Sequence, residues 1–360
     1  MTVLEETHFA ISRPDSDSPY QLTKRQGRVV GESEILLRVD TAGLCGTDIQ
    51  IARGMRHEEA SVIGHEGLCE VIAVGLGMAA NYKVGERIVI NPTSAEDSTF
   101  LLGHTIDGMF QSHILVDARA HRLGQLIKVT EPIDRELACL IEPLACVLYS
   151  ISILKPFRPD VAFIFGDGTI GRLAQIQIPL STNLKDARLV NREDFYGGPN
   201  QSLGPTLAKR CAVIIATPRD STVDCVNHVI ENSTTKTLVD VVGGFAAGTN
   251  PLLVDIQRAR AANVAGTPAQ ATIHTTKANN QSEAAIQFTG HRGVSAEHIR
   301  LAIALLAKYP DTYRPLVTHL VSPRGAADVL NALSSGHHRE YEGRRIIKLA
   351  IDMTAEGTQW

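Results

Sequence analysis

Val161-Ala-Phe-Ile-Phe-Gly-Asp-Gly-Thr-Ile-Gly171 decides how the chain is read. A compact apolar run, Val161 to Phe165, has the character of a fully buried parallel strand, and Gly166, Gly168 and Gly171 follow it in the spacing G-x-G-x-x-G. After a strand and before a helix, this pattern has a specific physical use. Gly166 permits a tight turn, Gly168 lets the backbone approach a pyrophosphate, and Gly171 lets helix and strand pack closely. Thr169 and Ile170 then open a helix whose unpaired N–H groups face the phosphates. The stretch therefore predicts a dinucleotide site on a doubly wound α/β sheet.

Further buried strands are read at Ala187 to Asn191, Cys211 to Ala216 and Thr237 to Val242, alternating with non-strand segments as such a sheet requires. Which dinucleotide the site takes depends on the end of the second strand, where an acidic residue would bind the ribose 2′-OH of NAD. Asn191 and Arg192 stand there, and Arg192 would pair with a 2′-phosphate, which favours NADP; a register slip of two would bring Glu193 into place and restore NAD.

Upstream, short β-branched segments bounded by Gly, Asn, Asp or Pro predict a small barrel or sandwich: Glu34 to Asp40, Leu68 to Val74, Arg87 to Ile90 and Phe110 to Val116. One or two helices are expected between Glu131 and Leu154. The chain closes with a helix at Ala296 to Lys308, a strand at Leu316 to Val321, a helix near Ala326 to Ser334 and a strand from Arg345 to Ile351.

Composition narrows the function. The 360 residues suffice for two domains, and a formal charge of -4 gives no reason to expect nucleic acid or an anionic membrane as partner. Met1 to Pro14 has neither a basic start nor an apolar run, and the longest apolar stretch is interrupted by Glu142 and Pro143, so a cytoplasmic protein is expected. The six cysteines show no paired framework and read as buried thiols or metal ligands.

Four motifs complete the reading: Cys45-Gly-Thr-Asp48, Gly64-His-Glu66, Ile141-Glu-Pro-Leu144 and the glycine pattern. A thiol, an imidazole and carboxylates from separate elements are what zinc takes as ligands. With Val84-Gly-Glu-Arg87 and Asp107-Gly-Met-Phe110, the set resembles the zinc-dependent medium-chain dehydrogenase/reductase family, the alcohol, polyol and sugar dehydrogenases, over nearly the whole chain. The resemblance implies a GroES-like β-barrel catalytic domain (1–153 and 291–360) around an inserted Rossmann nucleotide-binding domain (154–290).

It also implies roles. Cys45, His65, Glu66 and Glu142 would be the metal ligands, Glu66 either binding zinc or standing just behind it. Asp48 would orient His65, Thr47 would pass the hydroxyl proton outward, and Cys146 would sit near the nicotinamide, although a buried core thiol is an equal reading. The Glu-Pro-Leu around Glu142 is similar to the polyol, sugar and threonine dehydrogenase branches. Between Ile90 and Phe110, where many members hold a structural zinc on four cysteines, this chain has none, so one zinc per chain is expected. Gln50 stands where the proton relay often ends in His and cannot take up a proton near neutral pH.

The expected activity is hydride transfer between a nicotinamide cofactor and a secondary alcohol or ketone of a polyol, sugar, cyclitol or amino alcohol, by a homodimer or homotetramer. A threonine-type or simple alcohol dehydrogenase, and a non-enzymatic descendant that only binds, are the alternatives. His57, the His337-His338-Arg339 group and His291-Arg292 also attract attention. The first two are read as exposed surface, while His291-Arg292 is read either as loop or as a contact to cofactor or substrate.

Overall fold

The computed structural model describes residues 8–15, 18–27, 29–190, 209–266, 273–277, 284–336 and 339–355. The chain divides into two compact units: Met1–Glu142 with Ile299–Trp360, and Pro143–His298. The sequence reading placed these divisions after 153 and 290. Most of the helix Ile141–Leu154 thus belongs to the second unit.

The first unit is organised on β3 (Glu34–Leu44), which follows a hairpin of β1 (His8–Ser12) and β2 (Gln21–Arg25). β3 is buried at nine of its eleven residues and pairs antiparallel with β4 (Glu66–Val74), with β6 (His113–Asp117) along its first half and with β17 (Lys348–Asp352) along its second. β5 (Arg87–Ile90) and β7 (Leu126–Val129) extend the sheet beyond β4, and β14 (Val317–Val321) extends it beyond β17. Ile35, Leu37, Val39, Ala42 and Leu44 enter one core with Val71, Ile88, Phe110 and Leu330.

Two expected strands are shorter than read. Phe110 and Gln111 do not continue β6, because their backbone bonds go to Ile11 and Ala10 instead. Arg345 belongs to a small hairpin, β15 (Glu340–Tyr341) with β16 (Arg344–Arg345), and the final strand starts at Lys348.

The second unit holds a six-stranded sheet. β8 (Val161–Phe165) lies between β9 (Ala187–Val190) and β10 (Arg210–Ile215), and β11 (Lys236–Val241) and β13 (Ala285–Thr289) follow on the β10 side, all parallel. β12 (His274–Lys277) runs antiparallel at the far edge. β8 is buried at every residue, as a strand covered on both faces should be. β12, β13 and the helix Pro251–Ala262 had no clear counterpart in the sequence reading: β13 is only five residues long, too short for its period to stand out.

Arg135–Phe157 is long and apolar enough to cross a membrane by length and composition, but 83% of its apolar window is buried inside the protein. This is how a core helix reads.

Candidate metal and cofactor sites

Strand register assembles the metal candidates. Glu66, first residue of β4, pairs with Gly43 of β3, and on the other side of β3 Leu349 pairs with Leu44. Lys348 therefore faces Glu66 across β3, with Gly43 between them. A Cβ on Gly43 would stand 2.9 Å from Glu66 Oε2 and from Cys139 Cβ, and 3.0 Å from Lys348 Cε. Only glycine leaves room for this pair.

β3 ends at Leu44, so Cys45 lies at the turn into the helix Gly46–Ala52. Asp48 on that helix is fully buried; its Oδ2 accepts from the Cys45 N–H at 2.8 Å, and its Oδ1 lies 4.0 Å from His65 Nδ1. One carboxylate thus holds the Cys45 backbone by a hydrogen bond and faces the imidazole without one. Ligand atoms of Cys45, His65 and Glu66 all lie within 4.8 Å of one another. Glu142 is not in that group: it is buried in the first turn of Ile141–Leu154 and has a partner of its own. Thr47 and Gln50 are half-buried on the helix that begins beside Cys45.

The charges are arranged for a cation. Burial works against a charged His65, yet its hydrogen bond to Cys45 and the negative Cys45, Asp48 and Glu66 push its pKa up to about 10. Burial raises the Asp48 pKa, with His65 and the Cys45 N–H opposing. Glu66 Oε2 is already bonded to Lys348, which is 1% exposed. Burial opposes the Lys348 charge too, but Glu66, Cys139 and Cys45 hold its pKa above the usual lysine value. The donor set of thiol, imidazole and carboxylate therefore fits zinc, Cys45 and His65 being open to it and Glu66 sharing its carboxylate with Lys348.

Three residues here were missed by sequence reasoning. Lys348 sits in an ordinary apolar strand pattern and gives no signal by itself. His104 closes the loop noticed only for its lack of cysteine, and its ring centroid is 5.3 Å from that of His65. Arg339, read as solvated surface, is half-buried; its Nη2 donates to Ile347 O, its Nε is enclosed, and its Nη1 lies 4.0 Å from a Cβ placed on Gly46. His57 is exposed, as read, and His337 and His338 lie outside the described residues.

In the second unit the glycine loop takes the expected form. Gly166 has φ +102°, and a Cβ there would meet Ala216 O at 2.5 Å; a Cβ on Gly171 would meet Gly166 O at 1.7 Å. Gly168 caps the helix Thr169–Ser181, in whose first turn Thr169 and Ile170 lie. Cys146 is half-buried in Ile141–Leu154. Asn191 and Arg192 lie outside the described residues, so the choice between NAD and NADP rests on sequence. His291 is not an exposed loop residue: it is 2% exposed, its Nδ1 stands 3.5 Å from Asp240 Oδ1, and its ring lies 4.5 Å from that of Tyr149.

Comparison with known proteins agrees with this architecture. Residues 31–126 match the alcohol dehydrogenase GroES-like domain. Over 164 residues the chain is 31% identical to (R,R)-butanediol dehydrogenase of Bacillus subtilis, covering 39% of this chain and 46% of the relative. Over 180 residues it is 27% identical to a zinc-type alcohol dehydrogenase-like protein of Haemophilus influenzae, covering 44% and 51%. These matches span about half the length of the curated relatives.

Solved structures match along nearly the whole fold. An alcohol dehydrogenase (rspB) from Escherichia coli CFT073 complexed with NADH has TM-score 0.65 at 19% identity, over 96% of this chain and 98% of that one. A zinc-binding dehydrogenase from Sinorhizobium meliloti bound to NADP has TM-score 0.68 at 15% identity, over 96% and 99%. The fold is a GroES-like barrel unit with a Rossmann unit. Residues 31–126 carry the alcohol dehydrogenase GroES-like domain, and the whole-chain likeness to these solved dehydrogenases is one of fold.

Proposed function

We propose that the protein is a zinc-dependent, NAD(P)-linked oxidoreductase acting on a secondary alcohol or ketone of a polyol, sugar, cyclitol or amino alcohol. The observation that carries this reading is the convergence of Cys45, His65 and Glu66 ligand atoms within 4.8 Å. When bound, zinc would polarise the substrate oxygen as a Lewis acid and the nicotinamide would give or take the hydride.

The remaining work falls to this chain's side chains. Cys45 and His65 would hold the metal, with Glu66 binding it or standing behind it and Glu142 a further candidate ligand. Asp48, whose Oδ1 lies 4.0 Å from His65 Nδ1, would orient that ring. Lys348 limits the negative charge that Glu66 adds. Thr47 would pass the hydroxyl proton outward, and Gln50, which cannot hold it, leaves the next step to water or the cofactor ribose. Gly166, Gly168 and Gly171 would seat the pyrophosphate, with Cys146 placed toward the nicotinamide. Arg192, two residues after Val190 in the sequence, supports NADP over NAD.

The cysteine-free segment between Ile90 and Phe110 supports one zinc per chain. Support for the substrate class comes from relatives named as sorbitol, D-arabinitol and butanediol dehydrogenases. Metal analysis of the purified protein, with a polyol, sugar and cyclitol panel run with NAD and NADP, tests the reading. Absence of zinc together with absence of hydride transfer to any carbonyl would overturn it.

A further inference from the structure

Three glycines bring a second imidazole to the metal candidates. Gly103 has φ +76°, and a Cβ there would lie 2.7 Å from Gly64 O; a Cβ on Gly108 would meet the same oxygen at 2.1 Å. The backbone bonds Gly108 N–H to Val62 O at 2.7 Å and Met109 N–H to Gly64 O at 2.8 Å fasten the loop to the His65 turn. His104 arrives with its ring 5.3 Å from that of His65 and tilted by 34°.

The other side of His104 is held by a carboxylate. Its Nδ1 stands 3.2 Å from Glu58 Oε1, both side chains are nearly buried, and Glu58 is itself gripped by Arg56. The Ala60 N–H donates to His104 O at 2.8 Å, tying the two loops together. Both atoms are enclosed and neither makes a formed hydrogen bond, so the 3.2 Å approach, with Arg56 Nε on the same Glu58 oxygen, is an electrostatic contact. A carboxylate facing Nδ1 favours the tautomer with the proton there, which leaves Nε2 as an acceptor.

We propose that His104, oriented by Glu58, accepts a hydrogen bond from a second hydroxyl of the substrate, next to the oxygen that reacts. His104 would then set specificity and Glu58 would act through it as a positioning residue. This rests on the alcohol–ketone reading above. His104 is a nearly buried imidazole beside the metal candidates, outside their ligand group, and no hydrogen bond among the described residues occupies its Nε2. Apolar substrates would leave it unsatisfied, whereas a hydroxylated carbon beside the carbonyl satisfies it.

The test uses the full-length, zinc-loaded protein and two ketones that differ by one hydroxyl, acetoin and butanone, followed by reduced-cofactor absorbance. Wild type is expected to favour acetoin by about tenfold or more in kcat/KM, the order of one substrate hydrogen bond. In His104→Phe the acetoin-to-butanone ratio should fall to near one, chiefly through KM for acetoin, with zinc content as in wild type. His104→Gln, which keeps an acceptor, should retain part of the ratio, and Glu58→Gln should lower it. An unchanged ratio in His104→Phe, including parallel losses on both ketones, overturns the proposal. So does a zinc-bearing, active wild type with no preference for acetoin. A protein that binds no zinc and transfers no hydride to any carbonyl fails at the earlier reading instead.

Discussion

Lys348 Nζ and Glu66 Oε2 form an ion pair enclosed in the barrel, with side chains 1% and 2% exposed, joining β17 to β4 over the bare backbone of Gly43. Lys348 Nζ also lies 3.3 Å from Leu44 O. The pair is a neutral base on which the thiol and imidazole of the metal candidates stand. Taking away one partner leaves an uncompensated buried charge.

Lys348→Met should therefore destabilise the protein by about 3–5 kcal/mol, because Glu66 keeps its charge and loses its counter-ion. Lys348→Met combined with Glu66→Gln should recover much of that loss. Denaturant melts of the single and double variants measure both, and equal stability of wild type and Lys348→Met would show that the pair contributes nothing.

Gly43→Ala tests the same geometry without touching a charge. The added methyl meets three side-chain atoms at or below 3.0 Å, two of them on the ion pair. A loss of about 1–3 kcal/mol is expected from overpacking, with weakened zinc retention on dialysis. A variant as stable and as metal-bound as wild type would contradict the close approach.

In the second unit, Gly171→Ala places a methyl 1.7 Å from Gly166 O, a backbone atom that can yield only if the glycine loop opens. Cofactor affinity should drop by about tenfold or more, with zinc content unchanged, as titration of nicotinamide fluorescence would record. Undiminished affinity would remove the loop from the cofactor site.

Asp240 gives a pH signature. Burial opposes ionisation of Asp240, yet His291, Ser150 and Arg260 hold its pKa below the usual carboxylate value. A carboxylate depressed in the folded state contributes stability that is full above its unfolded pKa of about 3.9 and lost as pH falls through its lower folded value. The acid limb of a stability-versus-pH curve should be shallower in Asp240→Asn than in wild type. Parallel limbs would show that Asp240 does not titrate in the unfolding transition.

The division between what could and could not be read from sequence follows the range of the interactions. β8, its glycine loop and the following helix were legible because their signal is local: an apolar run, then three glycines at fixed spacing. Cys45, His65 and Glu66 were legible because each sits in a short motif. Lys348 and His104 were not, since Lys348 reaches Glu66 only through the register of three strands, and His104 reaches His65 only because Gly64, Gly103 and Gly108 let two backbones touch. Arg339 was misread for a related reason: a charged residue in a glycine-flanked loop looks solvated until its fold-back onto Cys45-Gly46 is known. Glu142 shows the opposite case, a motif position whose carboxylate lies outside the group that Cys45, His65 and Glu66 form.

The account stands on the metal. Zinc measured by inductively coupled plasma mass spectrometry on the purified wild type and on Cys45→Ser should give about one ion per folded chain in the first and almost none in the second, with hydride transfer lost alongside. Wild type without zinc, or Cys45→Ser that keeps both zinc and activity, would contradict it.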